Sequence, residues 1–432
     1  MIRWRIAIMV SVAIAISYLD RQSLPVAVVE ITKDIPINDQ HFARLNTAFL
    51  VTYGLMYLGG GWLMDFLGTR RGFAIIMIFW SLACASHGFA TSFIMLAASR
   101  LLLGVGEGGG FPAATRAVAE WFPVKERSTA MGIMNGGTAV GGIVAPPLIA
   151  LVVAYTGWFS LAPWRWVFIL TGAMGLVWTL WWIISYYPPE QHRQVTAAER
   201  SLIQSGAPVA SQGSEPPIPL SRLLSYPQTW AIVTAKFLSD AAWYFILFWL
   251  PKFLRATYGF DIKAVGSVAW IPHAAAGIGC LVGGGLSSWL LVRGLSVNKS
   301  RKIALGVSAA VMPLLILAPH VPVWAAILLF CVGYFGQQSW STLVMILPTD
   351  LFPRRAVGTV AGMVGLGGAF GGIAFGELAG WLLDHHFGYG PVFAIAGLLH
   401  LAAFVVILIG APTIQPLVIQ VPERGFEVVA SK

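Results

Sequence analysis

The sequence predicts an all-α membrane protein: twelve transmembrane helices in two six-helix bundles around a central cavity. Three observations predict it. Of 432 residues, 57% are hydrophobic and only 10% are charged, against roughly 25% charged in soluble domains. Apolar runs of about 20 residues, each long enough to cross roughly 30 Å of hydrocarbon, recur between short polar connections. One longer polar stretch near the middle divides these runs six and six.

The spans fall at 7–27, 44–64, 72–90, 95–117, 128–152, 164–186, 229–250, 264–290, 303–318, 323–346, 357–381 and 391–410. The first contains IAIMVSVAIAISYLDRQSLPVAVV; it is too long for a secretory signal and lacks a small-x-small cleavage site, so it stays as a span. Asp20 and Arg21 stand inside it. A charge near mid-membrane costs from a few kcal/mol to on the order of ten, so these two residues point to function. Tyr18 lies about one turn from Gln22 beside them, and Tyr53 sits mid-way along the second span. The third span holds Cys84 and His87.

The fourth span carries a second charged pair, Arg100 and Glu107, seven residues apart and therefore on one helix face. Gly104 and Gly108 share that face in small-xxx-small spacing, which lets a neighbouring helix approach closely. If that neighbour is the first span, Asp20 meets Arg100. The fifth span, MGIMNGGTAVGGIVAPPLIALVV, and the eleventh, TVAGMVGLGGAFGGIAFGELAGW, are the richest in small residues and read as packed, bendable helices at a moving interface. Asn135 and Thr138 offer donors and acceptors on the fifth, although Thr often bonds back to its own helix.

Residues 188–227 are rich in Pro, Ser, Gly and Gln and read as a cytoplasmic linker, within which TAAERSLIQ forms a short surface helix. The expected domains are a bundle over 1–187, this linker, a second bundle over 228–410 and a cytoplasmic tail over 411–432. On the seventh span Lys236 and Asp240 are four apart, with Trp243 and Tyr244 following. The pair reads first as a local ion pair near the membrane surface, and second as an acceptor for a sugar hydroxyl. After the eighth span GGGLSSWLLVRGLSVNKSRKI echoes GGGWLMDFLGTRRGF after the second, as parallel repeats would produce. On the tenth span Gln337, Gln338, Trp340 and Ser341 are a cavity set, since amides are poorly placed facing lipid. Glu377 near the end of the eleventh is either titratable or lies at the membrane face. His87, His273 and His400 read as hydrogen-bonded packing residues without metal-ligand spacing, and Cys84, Cys280 and Cys331 as small apolar ones.

The net charge of +9 is scattered over short loops rather than gathered on one basic face, which excludes nucleic acid as a partner. With the N-terminus inside, Arg70, Arg71, Lys125, Arg127 and most other basic residues face the cytoplasm. The positive-inside rule then puts both termini there. No nucleophile triad or phosphate loop emerges; GVGEGGG lacks the Lys and strand context a nucleotide loop needs, so an enzyme is not expected.

GWLMDFLGTRR, residues 61–71, resembles the loop signature G-x-L-x-D-x-x-G-x-R-R/K of the major facilitator superfamily. Gly61 permits close packing, Asp65 attracts basic groups, Gly68 allows the tight turn, and Arg70 and Arg71 stay cytoplasmic. SYLDRQSL, RLLLGVGEGGGFPA, DAAWYFILFWLPKFL and WSTLVMILPTDLFP resemble the anion:cation symporters, and their hexuronate group above all. The resemblance implies that Asp20 and Glu107 carry protons, that Arg21 clamps a carboxylate, that Arg100 partners the acids, and that Tyr18 and Tyr53 contact substrate. The residue types point the same way, because Arg offers a planar fork of donors suited to a carboxylate. Asn135, Thr138, Tyr244, Gln338, Trp340 and Ser341 complete the expected binding site. Thr138 departs from the larger amide of related transporters, and glycines stand in the eleventh span where some relatives carry Asn.

The expectation is a monomeric, lipid-embedded importer of a small organic anion, first a hexuronate or related sugar acid, by proton symport with alternating access. It needs no cofactor or metal and belongs to a plasma membrane, the inner membrane of a bacterium. The alternatives are an aromatic acid, a tartrate-like diacid or a phosphate ester as cargo, and a membrane anion sensor as another class.

Overall fold

The computed structural model describes residues 1–157, 160–205, 218–417 and 419, without the side chains of residues 58, 61, 62, 65, 124, 125, 128, 204, 205, 354 and 355. Its first bundle is built from α1 (Ile2–Ile31), α2 (Asp39–Leu67), α3 (Thr69–Ser86), α4 (Phe93–Gly108), α5 (Gly110–Trp121), α6 (Val124–Tyr155) and α7 (Pro163–Ser185). Two short helices follow, α8 (Ala197–Ser205) and α9 (Leu220–Leu224). The second bundle holds α10 (Pro227–Tyr258), α11 (Ile262–Val268), α12 (Ile271–Val292), α13 (Val297–Ala310), α14 (Val323–Val344), α15 (Leu347–Leu351), α16 (Arg354–Asp384) and α17 (Tyr389–Gly410). A 3-10 stretch, Met312–His320, continues α13.

Among the described residues nine helical stretches are long and apolar enough to cross a membrane. The other three expected spans are helical as well but carry more polar residues: α2, the α4–α5 pair and α14. Spans expected as unbroken at 95–117, 264–290 and 303–318 are each interrupted. The physical reason is proline. Pro112, Pro272 and Pro313 have no N–H for the carbonyl four residues earlier, so the helical ladder breaks beside each of them.

The distribution of side chains is the reverse of a soluble protein. Ile94, Ile184, Leu281 and Ile409 are each more than 70% exposed on the outer surface, whereas Asp20, Arg21, Arg100, Glu107 and Gln337 are at most 3% exposed. Apolar residues on the outside suit hydrocarbon as surroundings, and the charges gather between helices.

Close helix contacts place the charged residues. α1 runs along α6, where Gly137 and Gly141 lie against the backbone of Ser11 and Ala15; any larger side chain there would push α1 away. α2 packs on α4 within its bundle and on α16 across to the other, while α6 meets α11 and α12. The helix expected at TAAERSLIQ is α8. Its Glu199 accepts from the backbone amides of Ile2 and Arg3, both at 3.2 Å, and from Arg3 Nη1 at 3.0 Å, tying the connection to the first turn of α1. Glu126 of α6 takes Arg3 Nε at 2.7 Å.

Across the bundle interface the two faces of the molecule differ. At the face away from the N-terminus, the Asp384 carboxylate accepts from the first-turn amides of α2, Asp39 at 2.9 Å and Gln40 at 3.0 Å. Lys252 pairs with Asp39, and Glu377 accepts from Gln40 and, at 2.6 Å, from Thr47. This face is closed. On the face that carries the N-terminus, a cavity of about 1160 Å³ opens between the bundles, lined among others by Tyr57, Phe111, Thr115, Val233, Gly362 and Leu366.

Candidate functional site

α1 delivers the first group of site residues. Glu107 Oε2 accepts from Arg21 Nε at 2.7 Å and from Ser17 Oγ at 2.8 Å, and all three side chains are buried. The guanidinium lies over three rings: Tyr53 at 4.4 Å, Tyr18 at 5.0 Å and Phe49 at 5.5 Å. Aromatic faces hold a cation while leaving its N–H edge unspent. Arg21 Nη2 and Glu107 Oε1 have no hydrogen-bond partner among the described residues.

Asp20 points the other way. It accepts from Trp80 Nε1 at 2.7 Å and from Cys84 Sγ at 3.3 Å, and Cys84 in turn lies 3.2 Å from Thr171 Oγ1. The expected meeting of Asp20 with Arg100 does not form. The reason is which helix fills the glycine face of α4: Gly104 and Gly108 lie against Phe49, Tyr53 and Met56 of α2, not against α1. Arg100 is 1% exposed, with Phe49 5.8 Å from its guanidinium, and its Nε and Nη2 have no hydrogen-bond partner among the described residues. It reaches Glu107 and Asp20 only electrostatically.

Tyr53 stacks on Phe49 at 5.5 Å and meets Tyr57, tilted, at 6.0 Å, and Tyr57 in turn lines the open cavity. On α6, Thr138 Oγ1 donates back to Asn135 O at 2.7 Å. Asn135 is exposed, on the side of α6 whose Ala139 and Gly142 touch Gly277 and His273 of α12.

The second bundle contributes a polar cluster centred on α10. Lys236 Nζ lies 3.0 Å from Asp240 Oδ1 and donates to Ser341 Oγ at 2.8 Å. Gln337 Nε2 donates to the same Asp240 oxygen at 3.2 Å, and Gln337 Oε1 meets His400 Nε2. Trp340 is fully buried, edge-on to His400 at 5.6 Å, and Gln338 is half-buried, with Cys280 Sγ at 3.5 Å. Tyr244 stacks on Phe248 at 5.6 Å. The structure buries Lys236 and Asp240, each 7% exposed, between helices rather than at a membrane surface. The pair lies more than two turns inside α10, and its i,i+4 charge spacing within an apolar run was the available signal.

One contact has no sequence signal at all. Gln22 Nε2 lies 3.3 Å from His273 Nε2, joining α1 to α12 across the bundles. Tyr18 and Tyr244 each lie within electrostatic reach of both Arg21 and Asp240. His87 bonds its own helix through Nδ1 and stacks on Phe168.

In the 61–71 loop, Gly68 has φ +72° and forms the turn between α2 and α3. Arg70 donates to Ile183 O at 2.7 Å and lies 3.9 Å from the Tyr187 ring, while Arg71 is exposed. The side chains at Gly61 and Asp65 lie outside the described residues. No group of three His, Cys, Asp or Glu residues converges as a metal site among the described residues.

Residues 10–376 match the Major Facilitator Superfamily profile. The chain belongs to that superfamily. It is a multi-pass membrane transporter, not an enzyme. Among curated proteins it is similar to a hexuronate transporter of Escherichia coli, 31% identical over 411 residues that cover 94% of this chain and 93% of the relative. A galacturonate transporter of Dickeya chrysanthemi is 33% identical, covering 72% of this chain and 89% of that one. A D-galactonate transporter of Escherichia coli is 29% identical, with 95% and 94% covered. Among solved structures, the inward-open xylose transporter of Escherichia coli superposes with a TM-score of 0.72 at 13% identity, covering 94% of this chain and 95% of that one. An inward-facing, occupied bacterial homolog of the lysosomal transporter Spinster gives 0.71 at 17%, with 95% of each chain covered. At these identities the two structures speak for the fold alone.

Proposed function

We infer that the chain imports a small organic anion, first a hexuronate or related sugar acid, by proton symport with alternating access. The observation that carries this reading is the Arg21 pocket: a buried guanidinium on three aromatic rings, held on one edge by Glu107 and unpartnered at Nη2 among the described residues. The sugar-acid names of relatives that match nearly the whole chain support the cargo class.

Coupling follows from competition. Ionised Glu107 and a cargo carboxylate both want the same cation, and a proton on Glu107 removes one competitor. Loading on the outer side therefore goes with protonation of Glu107. Loss of the proton on the inner side lets Glu107 reclaim Arg21 and expel the anion. Asp20, held by Trp80 and Cys84, is the second proton site. Arg100 stabilises both acids in their ionised forms through space. The latch on Asp39, Gln40 and Thr47 closes one side while the cavity opens the other, which is one state of a rocking cycle.

In this reading the bundles over 1–187 and 228–410 rock about the linker over 188–227. Both termini and the open cavity face the cytoplasm, and the protein works as a monomer in a bacterial inner membrane, with the proton in place of any cofactor.

The test is uptake of labelled glucuronate and galacturonate by reconstituted vesicles with and without an imposed proton gradient. Gradient-dependent accumulation of either acid is expected. Indifference to both acids overturns the cargo, and indifference to the gradient overturns the coupling.

A further inference from the structure

The two oxygens of Asp20 meet different kinds of partner. Oδ2 accepts from Trp80 Nε1 at 2.7 Å, whereas Oδ1 lies 3.3 Å from Cys84 Sγ. That sulfur lies 3.2 Å from Thr171 Oγ1, where either atom can be the donor, and Thr171 Oγ1 lies 3.4 Å from Phe168 O. Asp20, Trp80, Cys84 and Thr171 are all at most 3% exposed. The row they form crosses α1, α3 and α7, three helices of the first bundle.

An indole N–H only donates, so Oδ2 is held as an acceptor and the proton of a neutral Asp20 falls to Oδ1, facing Cys84. A thiol both donates and accepts. With Asp20 ionised, Cys84 donates to Oδ1 and accepts from Thr171. With Asp20 protonated, the Oδ1 hydroxyl donates to Sγ, the thiol hydrogen turns to Thr171 Oγ1, and the Thr171 hydroxyl turns to Phe168 O. One proton is added, on Oδ1, and the other hydrogens only rotate. Every buried group keeps a partner in both states, and leaving one unpaired in a dry site is costly.

The other groups that bear on the charge of Asp20 are Glu107 and Arg100 of α4, which act through space and are not hydrogen-bonded to it among the described residues. Arg21, next in the chain, is turned to Glu107. α3 presents Cys84, and α7 presents Thr171, which does not titrate.

We propose that Cys84 and Thr171 are positioning residues for the Asp20 proton site, forming a hydrogen-bond row that reverses direction when Asp20 gains or loses its proton. This rests on the reading of Asp20 as a proton site given above. Because the row lies inside one bundle, rocking of the bundles leaves it intact, and Asp20 is satisfied in either charge state on both sides of the cycle.

The test is an infrared pH titration of the purified full chain, which needs no cargo. The C=O band of protonated Asp20 is the one lost in Asp20→Asn, and the S–H band of Cys84 is the one lost in Cys84→Ala. Should Cys84→Ala fail to fold, Cys280→Ser with Cys331→Ser leaves a single thiol and gives the same assignment. As pH rises the S–H band is expected to move to lower frequency, with the same midpoint as the loss of the C=O band, because the thiol turns from a neutral hydroxyl to a carboxylate and makes a charge-assisted bond. Cys84→Ala is expected to move the C=O midpoint up by about half a pH unit or more, since the ionised form loses a donor. Cys84→Ser keeps a donor and an acceptor and is expected to stay near the parent. In Thr171→Val the S–H band of the protonated state is expected at the position of a free thiol. An S–H band that stays fixed while the C=O band titrates overturns the reversing row and leaves Asp20 as a proton site. A C=O band that never titrates overturns both, and leaves anion binding at Arg21 standing.

Discussion

Arg21 and Glu107 define the residue scale. The side chain that matters for anion binding is a planar fork, and a lysine in its place is a point charge. Arg21→Lys is therefore expected to weaken binding of a sugar acid by about tenfold or more, the worth of a charge-assisted hydrogen bond, as measured by equilibrium binding. Binding unchanged within twofold would remove Arg21 as the clamp. Glu107→Gln mimics the protonated acid permanently. It is expected to abolish accumulation against a gradient while counterflow exchange of labelled acid continues; loss of both in a folded protein contradicts its coupling role. Both residues were legible as charges inside apolar runs. Their pairing was not: Arg21, through an Nε three bonds beyond its Cβ, reaches Glu107 on α4, whereas Asp20 beside it faces α3.

At the scale of elements, prolines and glycines decided where helices break and which neighbours they accept. The glycine face of α4 announced a close contact, and the sequence could not say that α2 supplies it. The closed face hangs on the first turn of α2, whose amides are capped by Asp384 from the opposite bundle. An acidic group at a helix N-terminus satisfies amides that have no partner in the helix and favours the helix dipole, worth about 1 kcal/mol. Asp384→Ala is thus expected to shift the population toward opening on that side. A cysteine at Ala43, buried there against Gly380, should then react faster with a membrane-impermeant thiol reagent than in the parent. Equal labelling rates would show that the cap does not hold the face shut.

At the scale of the whole molecule, the connection between the bundles is anchored by Glu199, which docks α8 on the first turn of α1. Burial pushes its carboxyl upward, but the amides of Arg3 and Ile2 and the Arg3 guanidinium outweigh that, and the net shift is downward. A carboxyl whose folded-state pKa is lowered stabilises the folded form above its ordinary value of about 4.3, and that stability is lost as pH falls through the lowered value. Hydrogen exchange over 197–205, corrected for intrinsic rates, is expected to stay slow from pH 7 to about 5 and to accelerate below about 4. Glu199→Gln should exchange fast throughout. An identical pH profile in the variant would show that the carboxylate does not hold α8.

The sequence by itself determined the class of molecule and the identity of its charged residues. Hydrophobic runs of membrane length, the 61–71 signature and the buried-charge anomaly are local properties, written in consecutive or helically spaced residues. Only the tertiary structure decided who meets whom: Glu107 on Arg21, Asp20 on Trp80 and Cys84, Lys236 and Asp240 turned inward beside Gln337. The reason is physical. A helix fixes the relative directions of its own side chains, but the choice of neighbour depends on glycine contacts and side-chain reach summed over several helices at once, and no single stretch of chain contains that sum.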